Sequence, residues 1–434
     1  MKQSDSLKQR LIREAVGSFG LKIVSTGLAL FLNLILARFL GSNGLGSYTL
    51  AITLIGLLGL PAKLGFPQLL VREVAVYFSE EKWGLLRGII NRTYQISIAL
   101  SLTLIIAVVT LTWLFIKDSQ IYLTVLLALM ALPFSSLRIL NQSVMSGLHR
   151  VVQGQLPIKL IAPLMMLLLT LSGYATLGSN MAIVFVIACY VGVTAITFLI
   201  GYYQLNCVLP REIFITEPEY KTQYWIKVSI PFMVLGALYM VNSQTDIVML
   251  GAIKDSESVG LYVVGNKLAS LIIFIFMASK SSLKPNIASL YQAGKLALLE
   301  SIVKKSSQLV SFSCCIVAAF IFIFKDSLLG LFGQEFLASN NVLILLIMGQ
   351  LVNILVGPVD ILLNMSGKEK LSLIIFSISA VANISLNYYL IPKFGAEGAA
   401  IATSISTITW SLSSMILVFK YIGINPTAFG KSKV

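Results

Sequence analysis

The chain has 434 residues, of which 57% are hydrophobic and 12% are charged, and its mean hydropathy is +0.89. Because soluble domains carry about twice that share of charged residues, the composition excludes an ordinary soluble protein and indicates a membrane protein. The formal net charge is +14, and the positions of the basic residues, given below, explain this charge without a nucleic-acid partner.

Apolar runs of transmembrane length follow one another along the whole chain. A transmembrane helix needs about 20 mostly apolar residues. Barrel strands would be shorter and strictly alternating, so these runs predict helices. About twelve spans are predicted, at approximately 17–40, 46–71, 89–116, 121–146, 156–177, 181–203, 225–253, 259–290, 303–324, 342–364, 371–391 and 396–422. The predicted fold is therefore an all-α integral membrane protein.

The two halves of the chain resemble each other. A Gly-x-Tyr sequence that follows a Leu-Gly pair occurs at Gly46–Tyr48 and again at Gly260–Tyr262, a spacing of 214 residues (260−46). Repetition on this scale in a membrane protein is typical of transporters built from two halves. We therefore predict an N-terminal six-helix half at 1–210, a cytoplasmic linker at 211–224 and a C-terminal six-helix half at 225–434.

Basic residues are distributed unequally between the loops on the two sides of the membrane. With the N-terminus in the cytoplasm, nineteen Lys and Arg residues fall in the cytoplasmic segments and five in the opposite loops. This bias fits the positive-inside rule for a multi-pass protein of the cytoplasmic (inner) membrane with both termini in the cytoplasm. Because each half has six spans, the halves enter in the same direction, and a ligand path is expected in a central cavity between them.

Eight further bases remain within or at the ends of the predicted spans: Lys22, Lys63, Arg138, Lys159, Lys227, Lys267, Lys280 and Lys284. A charge at the centre of a transmembrane helix costs roughly 2.5–3.5 kcal/mol on insertion scales, so such a residue is expected to face water or a partner. Lys22, Lys63 and Lys267 have several apolar residues on both sides, and they are the predicted substrate-binding residues of a cationic cavity. For the other five, snorkelling of the side chain to the headgroups is the favoured interpretation.

Apart from Glu397 at the very start of the last span, the only acidic residues within the predicted spans are Asp246 and Asp360. Asp246 is near the outer end of the seventh span, where either an ion pair with Lys267 or a coupling-ion site fits its position. Asp360 follows Gly357 and Pro358 at a predicted helix break, and a solvated helix end is favoured there over a coupling role. Further candidates for sugar or ion contacts, with interhelical hydrogen bonding favoured for each, are Asn33, Asn242, Gln244, Asn353, Asn383 and Asn387.

No catalytic, cofactor or metal motif is visible in the sequence. The single histidine, His149, lies in a basic loop, so neither a histidine proton relay nor a Ser-His-Asp triad can be assembled within the bilayer. No Gly-rich loop ends in Gly-Lys-Ser/Thr, which argues against direct ATP coupling, and the four cysteines lack metal-ligand spacing. The protein is predicted not to be an enzyme, and no cofactor or metal is predicted.

Five short motifs, in order along nearly the whole chain, resemble those of one membrane-protein family. They are Ala37–Gly41, Gly46–Tyr48, Gly65–Glu73, Asp246–Gly251 with Val259–Tyr262, and Ile391–Ala402. With these motifs the sequence resembles the polysaccharide/O-antigen flippase family of the multidrug, oligosaccharidyl-lipid and polysaccharide exporter superfamily. The resemblance implies a flippase that moves a polyprenyl-diphosphate-linked oligosaccharide across the cytoplasmic membrane by alternating access, for synthesis of cell-surface polysaccharide or lipopolysaccharide O-antigen.

The resemblance also implies partners, namely the lipid-linked oligosaccharide, membrane lipids and polysaccharide polymerase or ligase proteins. Two alternatives stay open. A cation-coupled multidrug exporter of the same superfamily should have acids in its cavity, and the excess of eight bases over two acids counts against it. A non-catalytic membrane scaffold of a glycan-assembly complex would leave the bases inside the spans without a purpose.

Overall fold

The computed structural model describes residues 2–115, 126–177 and 183–428. The start of the fourth predicted span (121–125), the start of the sixth (181–182) and residues 429–434 lie outside this part. Within the described residues all regular secondary structure is helical, which confirms the predicted all-α fold.

The helices of the first part of the chain are α1 (Lys2–Lys63), α2 (Phe66–Ser79), α3 (Trp83–Phe115), α4 (Ala131–Gly147), α5 (Val151–Leu156), α6 (Ala162–Leu177), α7 (Ile183–Val208) and α8 (Glu212–Ile215). They are followed by α9 (Thr222–Ile253), α10 (Ser256–Gln292), α11 (Leu296–Ile323), α12 (Lys325–Phe332), α13 (Asn340–Val356), α14 (Val359–Met365) and α15 (Glu369–Ile422). A π-helical turn, Pro157–Ile161, joins α5 to α6, and a 3-10 helix, Gln334–Ser339, lies between α12 and α13.

Nine of the described helical stretches are long and apolar enough to cross a membrane. Two of them, Gly17–Lys63 with 47 residues and Glu369–Ile422 with 54, are about twice the length that one crossing needs. Each is broken at a glycine with positive φ, Gly41 at 69° and Gly395 at 55°, a conformation that glycine adopts without strain. If each counts as two spans and α4 is added, the structure agrees with the prediction of about twelve.

By their internal contacts the residues form two compact units. The first unit comprises the chain up to Leu40 together with Leu50–Met240. The second unit comprises Gly41–Thr49 and the chain from Val241 onward. The segment around the first Gly-x-Tyr sequence therefore packs with residues from the second half of the chain.

The core of the first unit is built around α2. This helix begins after Gly65, which has φ 71°, and buries a face that includes Phe66, Leu70 and Tyr77. Trp225, at the start of α9, is 1% exposed, and its indole nitrogen donates to the hydroxyl of Tyr77 at 3.2 Å. Apolar residues of α3, α4 and α7 complete the cluster. Burial of these side chains fixes α2 against four other helices of its unit.

The predicted linker, 211–224, is ordered and attached to α3. The backbone N–H of Glu219 donates to the carbonyl of Gly84 at 2.9 Å. The guanidinium of Arg87 donates to the carbonyl of Thr216 at 2.8 Å. The segment holds one turn of helix, α8, and its last residues form the start of α9. It is thus part of the first unit.

In the second unit the two Gly-x-Tyr sequences pack against each other. Gly46 of α1 lies against the backbone of Ser256, and Gly260 of α10 lies against the carbonyl of Ser42, so a Cβ atom at either glycine would overlap backbone atoms. Glu335 accepts hydrogen bonds from the backbone N–H and the hydroxyl of Ser42 at 3.0 and 3.1 Å. The repeated sequence therefore marks a close helix–helix contact.

The second unit has its own apolar cluster, which joins α10, α11, α14 and the end of α15. The chain that follows α15 is bonded to α11, because the carbonyl of Pro426 accepts a hydrogen bond from the hydroxyl of Ser307 at 3.1 Å. The N–H of Ala428 also donates to the carbonyl of Leu355 at 3.2 Å.

Candidate functional site

Five of the eight bases within the predicted spans belong to the first unit: Lys227 is on α9, and the other four lie on three helical segments. Lys22 and Lys63 are on α1, Arg138 is on α4 and Lys159 is on the π-helical turn. Lys63 and Arg138 are close enough to interact electrostatically, and so are Lys22 and Lys159. The ammonium of Lys159 also donates to Oε1 of Gln155 at 2.9 Å. Each predicted binding residue of this unit thus lies near a second base.

The described spans of the first unit hold no acidic residue that would balance these bases. The described acids of this unit lie outside the spans, as does Glu73 of α2, which accepts a hydrogen bond from Nη2 of Arg72 at 2.7 Å. Like charges repel more strongly in the low dielectric of a protein interior than in water. An anion among these bases would relieve that repulsion, so the arrangement suits a phosphate-bearing ligand.

Arg138 lies elsewhere than predicted. Snorkelling was the favoured interpretation, but the guanidinium lies inside the unit, where Nη1 is 3.5 Å from the hydroxyl of Thr197 on α7. It also lines a cavity together with Asn141 and Gln142. The prediction is wrong because this face of α4 packs against α7, with Asn141 2% exposed, and does not face lipid.

Lys267, the third predicted binding residue, is on α10 and belongs to the second unit. Its side chain is exposed, whereas its neighbour Leu268 is buried. Among the ion pairs of the described residues, none joins Lys267 to Asp246. The ion pair considered from the sequence is therefore not formed.

Asp246 of α9 lies instead at the centre of a cluster of uncharged polar side chains, and it is 5% exposed. Its Oδ2 accepts hydrogen bonds from the hydroxyls of Tyr262 and Thr403, both at 2.6 Å. Its Oδ1 accepts from Nδ2 of Asn387 at 2.7 Å, and Asn383 is a fourth donor at 3.4 Å. With the carboxylate ionised, this polar cluster carries one negative charge in the interior of the second unit.

The polar cluster has the ligand chemistry that small hard cations prefer, which is a carboxylate with further oxygen atoms. Hydroxyl oxygens of two residues already surround the carboxylate, and a rotation of either amide would bring its oxygen inward. Within the described residues, no group of three or more His, Cys, Asp or Glu residues could hold a metal ion. With a single carboxylate, the cluster is suited to a monovalent cation or a proton.

Asp360 of α14 makes an ion pair with Lys280 of α10. Nζ and Oδ1 are 2.8 Å apart, and the side chains are 6% exposed for Lys280 and 28% for Asp360. The ammonium also lies 4.2 Å from the ring centroid of Phe276. Snorkelling was favoured for Lys280, and that interpretation is wrong because the ammonium is buried against a carboxylate and an aromatic face.

Removing one partner of this ion pair is expected to destabilise the protein strongly. Asp360→Asn leaves the buried ammonium of Lys280 without its counter-charge, which costs about 3–5 kcal/mol in comparable pairs. Adding Lys280→Met should restore most of the stability, because no buried charge then remains. The loss and recovery of stability are measured as melting temperatures of Asp360→Asn, Lys280→Met and the double variant in detergent. The control is Asp326→Asn, at the more exposed ion pair with Lys325. An unchanged melting temperature for Asp360→Asn would contradict the prediction.

Sequence reasoning missed the partners of Asp246. Asn383 and Asn387 were candidates whose spacing of four residues places them on one helix face, but nothing in the sequence joined them to the carboxylate. Tyr262 belongs to the repeated Gly-x-Tyr sequence, and that repeat was the one sequence feature that pointed to it. No sequence feature pointed to Thr403.

Comparison with known proteins identifies relatives over most of the chain. A family model described as polysaccharide biosynthesis protein matches residues 12–291, and one described as MatE matches residues 231–389. The "Probable low-salt glycan biosynthesis flippase Agl15" of Haloferax volcanii is 23% identical over 409 residues, which are 91% of this chain and 81% of that protein.

Solved structures share the fold. An inward-facing multidrug resistance MATE family transporter of the MOP superfamily has a TM-score of 0.73 at 15% identity, over 92% of this chain and 94% of that chain. The lipid II flippase MurJ, in an inward closed conformation, has a TM-score of 0.71 at 17% identity, over 94% of this chain and 87% of that chain. The polysaccharide biosynthesis model spans 280 of the 434 residues (291−12+1). The chain therefore belongs to the polysaccharide biosynthesis protein family, which confirms the resemblance seen in its motifs.

Proposed function

We propose that the protein flips a polyprenyl-diphosphate-linked oligosaccharide across the cytoplasmic membrane by alternating access, as a step in cell-surface polysaccharide synthesis. It acts as a transporter and not as an enzyme, with both termini in the cytoplasm. Its two halves, 1–210 and 225–434, change conformation relative to each other. Lys22, Lys63 and Lys267 bind the diphosphate, and polymerase or ligase proteins take the product onward.

The observation that carries the proposal is the excess of bases on the membrane helices of the first unit. Its described spans, together with α4, contain Lys22, Lys63, Arg138 and Lys159 and no acid. A diphosphate brings several negative charges and many acceptor oxygens, which lysine and arginine bind through charge-assisted hydrogen bonds. The same bases would repel a cationic substrate.

The relatives support the same class of activity. The Haloferax volcanii protein is named a glycan biosynthesis flippase, and MurJ is named a lipid II flippase. Their names do not identify the oligosaccharide of this protein. They support a lipid-linked glycan as the class of substrate.

Asp246 is the proposed coupling site, where a sodium ion or a proton binds the carboxylate at the centre of the polar cluster. A cation there would neutralise the single buried negative charge, and its release would restore it. This difference in electrostatic energy gives an ion gradient a means of biasing the conformation. Asp360 is not proposed for this role, because Lys280 already balances its charge.

A second candidate function is cation-coupled export of drugs. The MatE match over residues 231–389 and the likeness to a multidrug transporter favour it. The bases and missing acids of the first unit's spans count against it, since exported drugs of that class are cationic. A non-transporting scaffold would give these bases within the spans no role.

Neutralising the three predicted binding residues is expected to abolish flipping. The triple variant Lys22→Gln, Lys63→Gln and Lys267→Gln loses three charge-assisted contacts, each worth about 1.5–3 kcal/mol, so flipping should fall by at least about a hundredfold. The measurement is the flipping rate of lipid-linked oligosaccharide in proteoliposomes that contain only this protein, together with surface glycan in a deletion strain.

The matched control is the triple Lys→Arg variant at the same positions, which keeps every charge and should keep most of the rate. Both variants must reach the membrane in wild-type amounts. If the glutamine variant flipped substrate at the wild-type rate, the three lysines would not be the binding residues.

Drug sensitivity of a deletion strain with intact surface glycan would favour the exporter. Normal glycan output without any flipping in proteoliposomes would favour the scaffold.

A further inference from the structure

A small cavity lies within the first unit, and none of the residues proposed to bind the diphosphate lines it. It is enclosed by α4, α7 and the π-helical turn, and it contains about 220 Å³ of empty space including its mouth. Its interior has room for about one water-sized molecule. A diphosphate or a sugar is too large for it.

Arg138 gives the cavity a permanent positive charge. Its guanidinium forms a hydrogen bond with Tyr190 and has Nη1 3.5 Å from the hydroxyl of Thr197, whereas its buried Nε has no hydrogen-bond partner among the described residues. The guanidinium does not deprotonate in proteins, and Lys63 adds a second positive charge nearby. Even a partly buried charge without a counter-charge is costly, so the site favours an occupant with a negative charge.

Uncharged amides provide the remaining polar lining. Gln142 follows Arg138 by one helical turn on α4, and Gln204 is on α7. Oε1 of Gln204 is buried without a hydrogen-bond partner in the described part of the protein. The oxygen and nitrogen of such an amide exchange places by a simple rotation, which would direct an N–H₂ group into the cavity. The lining can therefore offer donors on more than one side.

The backbone beside the cavity is also unusual. Pro157–Ile161 forms a π-helical turn, and Pro157 and Ile158 of this turn line the cavity. Such turns are rare and occur frequently at functional sites.

We propose that this cavity binds a single halide ion, chloride in the cell, on the guanidinium of Arg138. A chloride ion is only slightly larger than water, it accepts hydrogen bonds from every direction, and it neutralises one of the two neighbouring positive charges. No acid lines the cavity to compete with it. The ion acts as a fixed counter-ion that keeps α4 and α7 together, whether or not lipid-linked substrate is bound.

The test is the melting temperature of the purified full-length protein in detergent, without lipid-linked substrate, as sodium chloride replaces sodium gluconate. Sodium and ionic strength stay constant, so the Asp246 site does not contribute. A saturable rise of about 2 °C or more is expected, and bromide should produce it as well. Because no transport is measured, failure of the proposed flippase activity would not affect the result.

Two variants assign the effect to the cavity. Arg138→Gln should abolish the chloride dependence, whereas Arg150→Gln, at an exposed arginine near the end of α4, should keep it. Gln142→Glu places a carboxylate one turn from Arg138. It should make the protein as stable in gluconate as the wild type is in chloride, and insensitive to chloride. The exposed Gln153→Glu is its matched control.

The Gln142→Glu variant decides the question if Arg138→Gln does not fold. No chloride-dependent rise in the wild type would overturn the proposal and leave water as the occupant. An unchanged rise in Gln142→Glu would place the anion elsewhere.

Discussion

Valine in place of Gly46 or Gly260 is expected to leave little folded protein. At both positions even a single Cβ atom would overlap backbone atoms of the facing segment, Ser256 for Gly46 and Ser42 for Gly260. Backbone cannot move aside as the end of a flexible side chain can, so the two helices would have to separate. Overpacking of an interior typically costs about 1–3 kcal/mol, and with backbone as the obstacle we expect at least the upper end of that range for each variant.

The comparison for these variants is Gly20→Val, on the exposed face of α1 in the first unit, where a Cβ atom would meet nothing within 4 Å. Gly20→Val should fold in wild-type amounts. The measurements are the yield of monodisperse protein after extraction and the melting temperature in detergent. If Gly46→Val or Gly260→Val had the same melting temperature as Gly20→Val, the contact between the two Gly-x-Tyr sequences would not be a close one.

The repeated junction shows what the sequence can and cannot reveal about this fold. Apolar runs located the helices, and the spacing of Gly46 and Gly260 revealed the repeat. Glycine in a helix predicts that something approaches closely, but it does not identify the neighbour. That the two glycines pack at one shared contact depends on which helices meet, and no local pattern encodes this.

For the candidate site too, the sequence revealed some features and not others. Charge counting indicated which residues are costly in a membrane, and it drew attention to Lys63, Asp246 and Asp360. Their partners come from distant helices: Thr403 is 157 positions from Asp246, and Lys280 precedes Asp360 by eighty (360−280). Snorkelling is predicted from a single helix surrounded by lipid. That prediction was wrong for Arg138 and Lys280, because other helices pack against the helices that carry them.

Asp246→Asn is expected to stop ion-coupled transport while the protein stays folded. Asparagine keeps the shape of the side chain, and the hydroxyls of Tyr262 and Thr403 can turn to accept a hydrogen bond from its amide, so the polar cluster remains satisfied. The negative charge is lost, however, and with it about 1.5–3 kcal/mol of interaction with a bound cation. The affinity for the coupling ion should therefore fall by about tenfold or more.

The measurement for Asp246→Asn has two parts. The first is the melting temperature as sodium chloride replaces choline chloride, so that chloride stays constant; the wild type should be stabilised and the variant should not. The second is flipping in proteoliposomes with and without a sodium gradient, where the variant should show the same rate in both. A wild type insensitive to sodium but driven by a pH gradient would identify the proton as the coupling ion.

Two controls separate the charge of Asp246 from its packing. Tyr262→Phe removes one donor to the carboxylate and keeps the charge, so it should lower stability by about 1 kcal/mol and retain the sodium response. Asp326→Asn makes the same chemical change outside the spans and should behave as the wild type. If Asp246→Asn still flipped substrate faster with a gradient, the carboxylate would serve only to join α9, α10 and α15, and coupling would have to arise from another group.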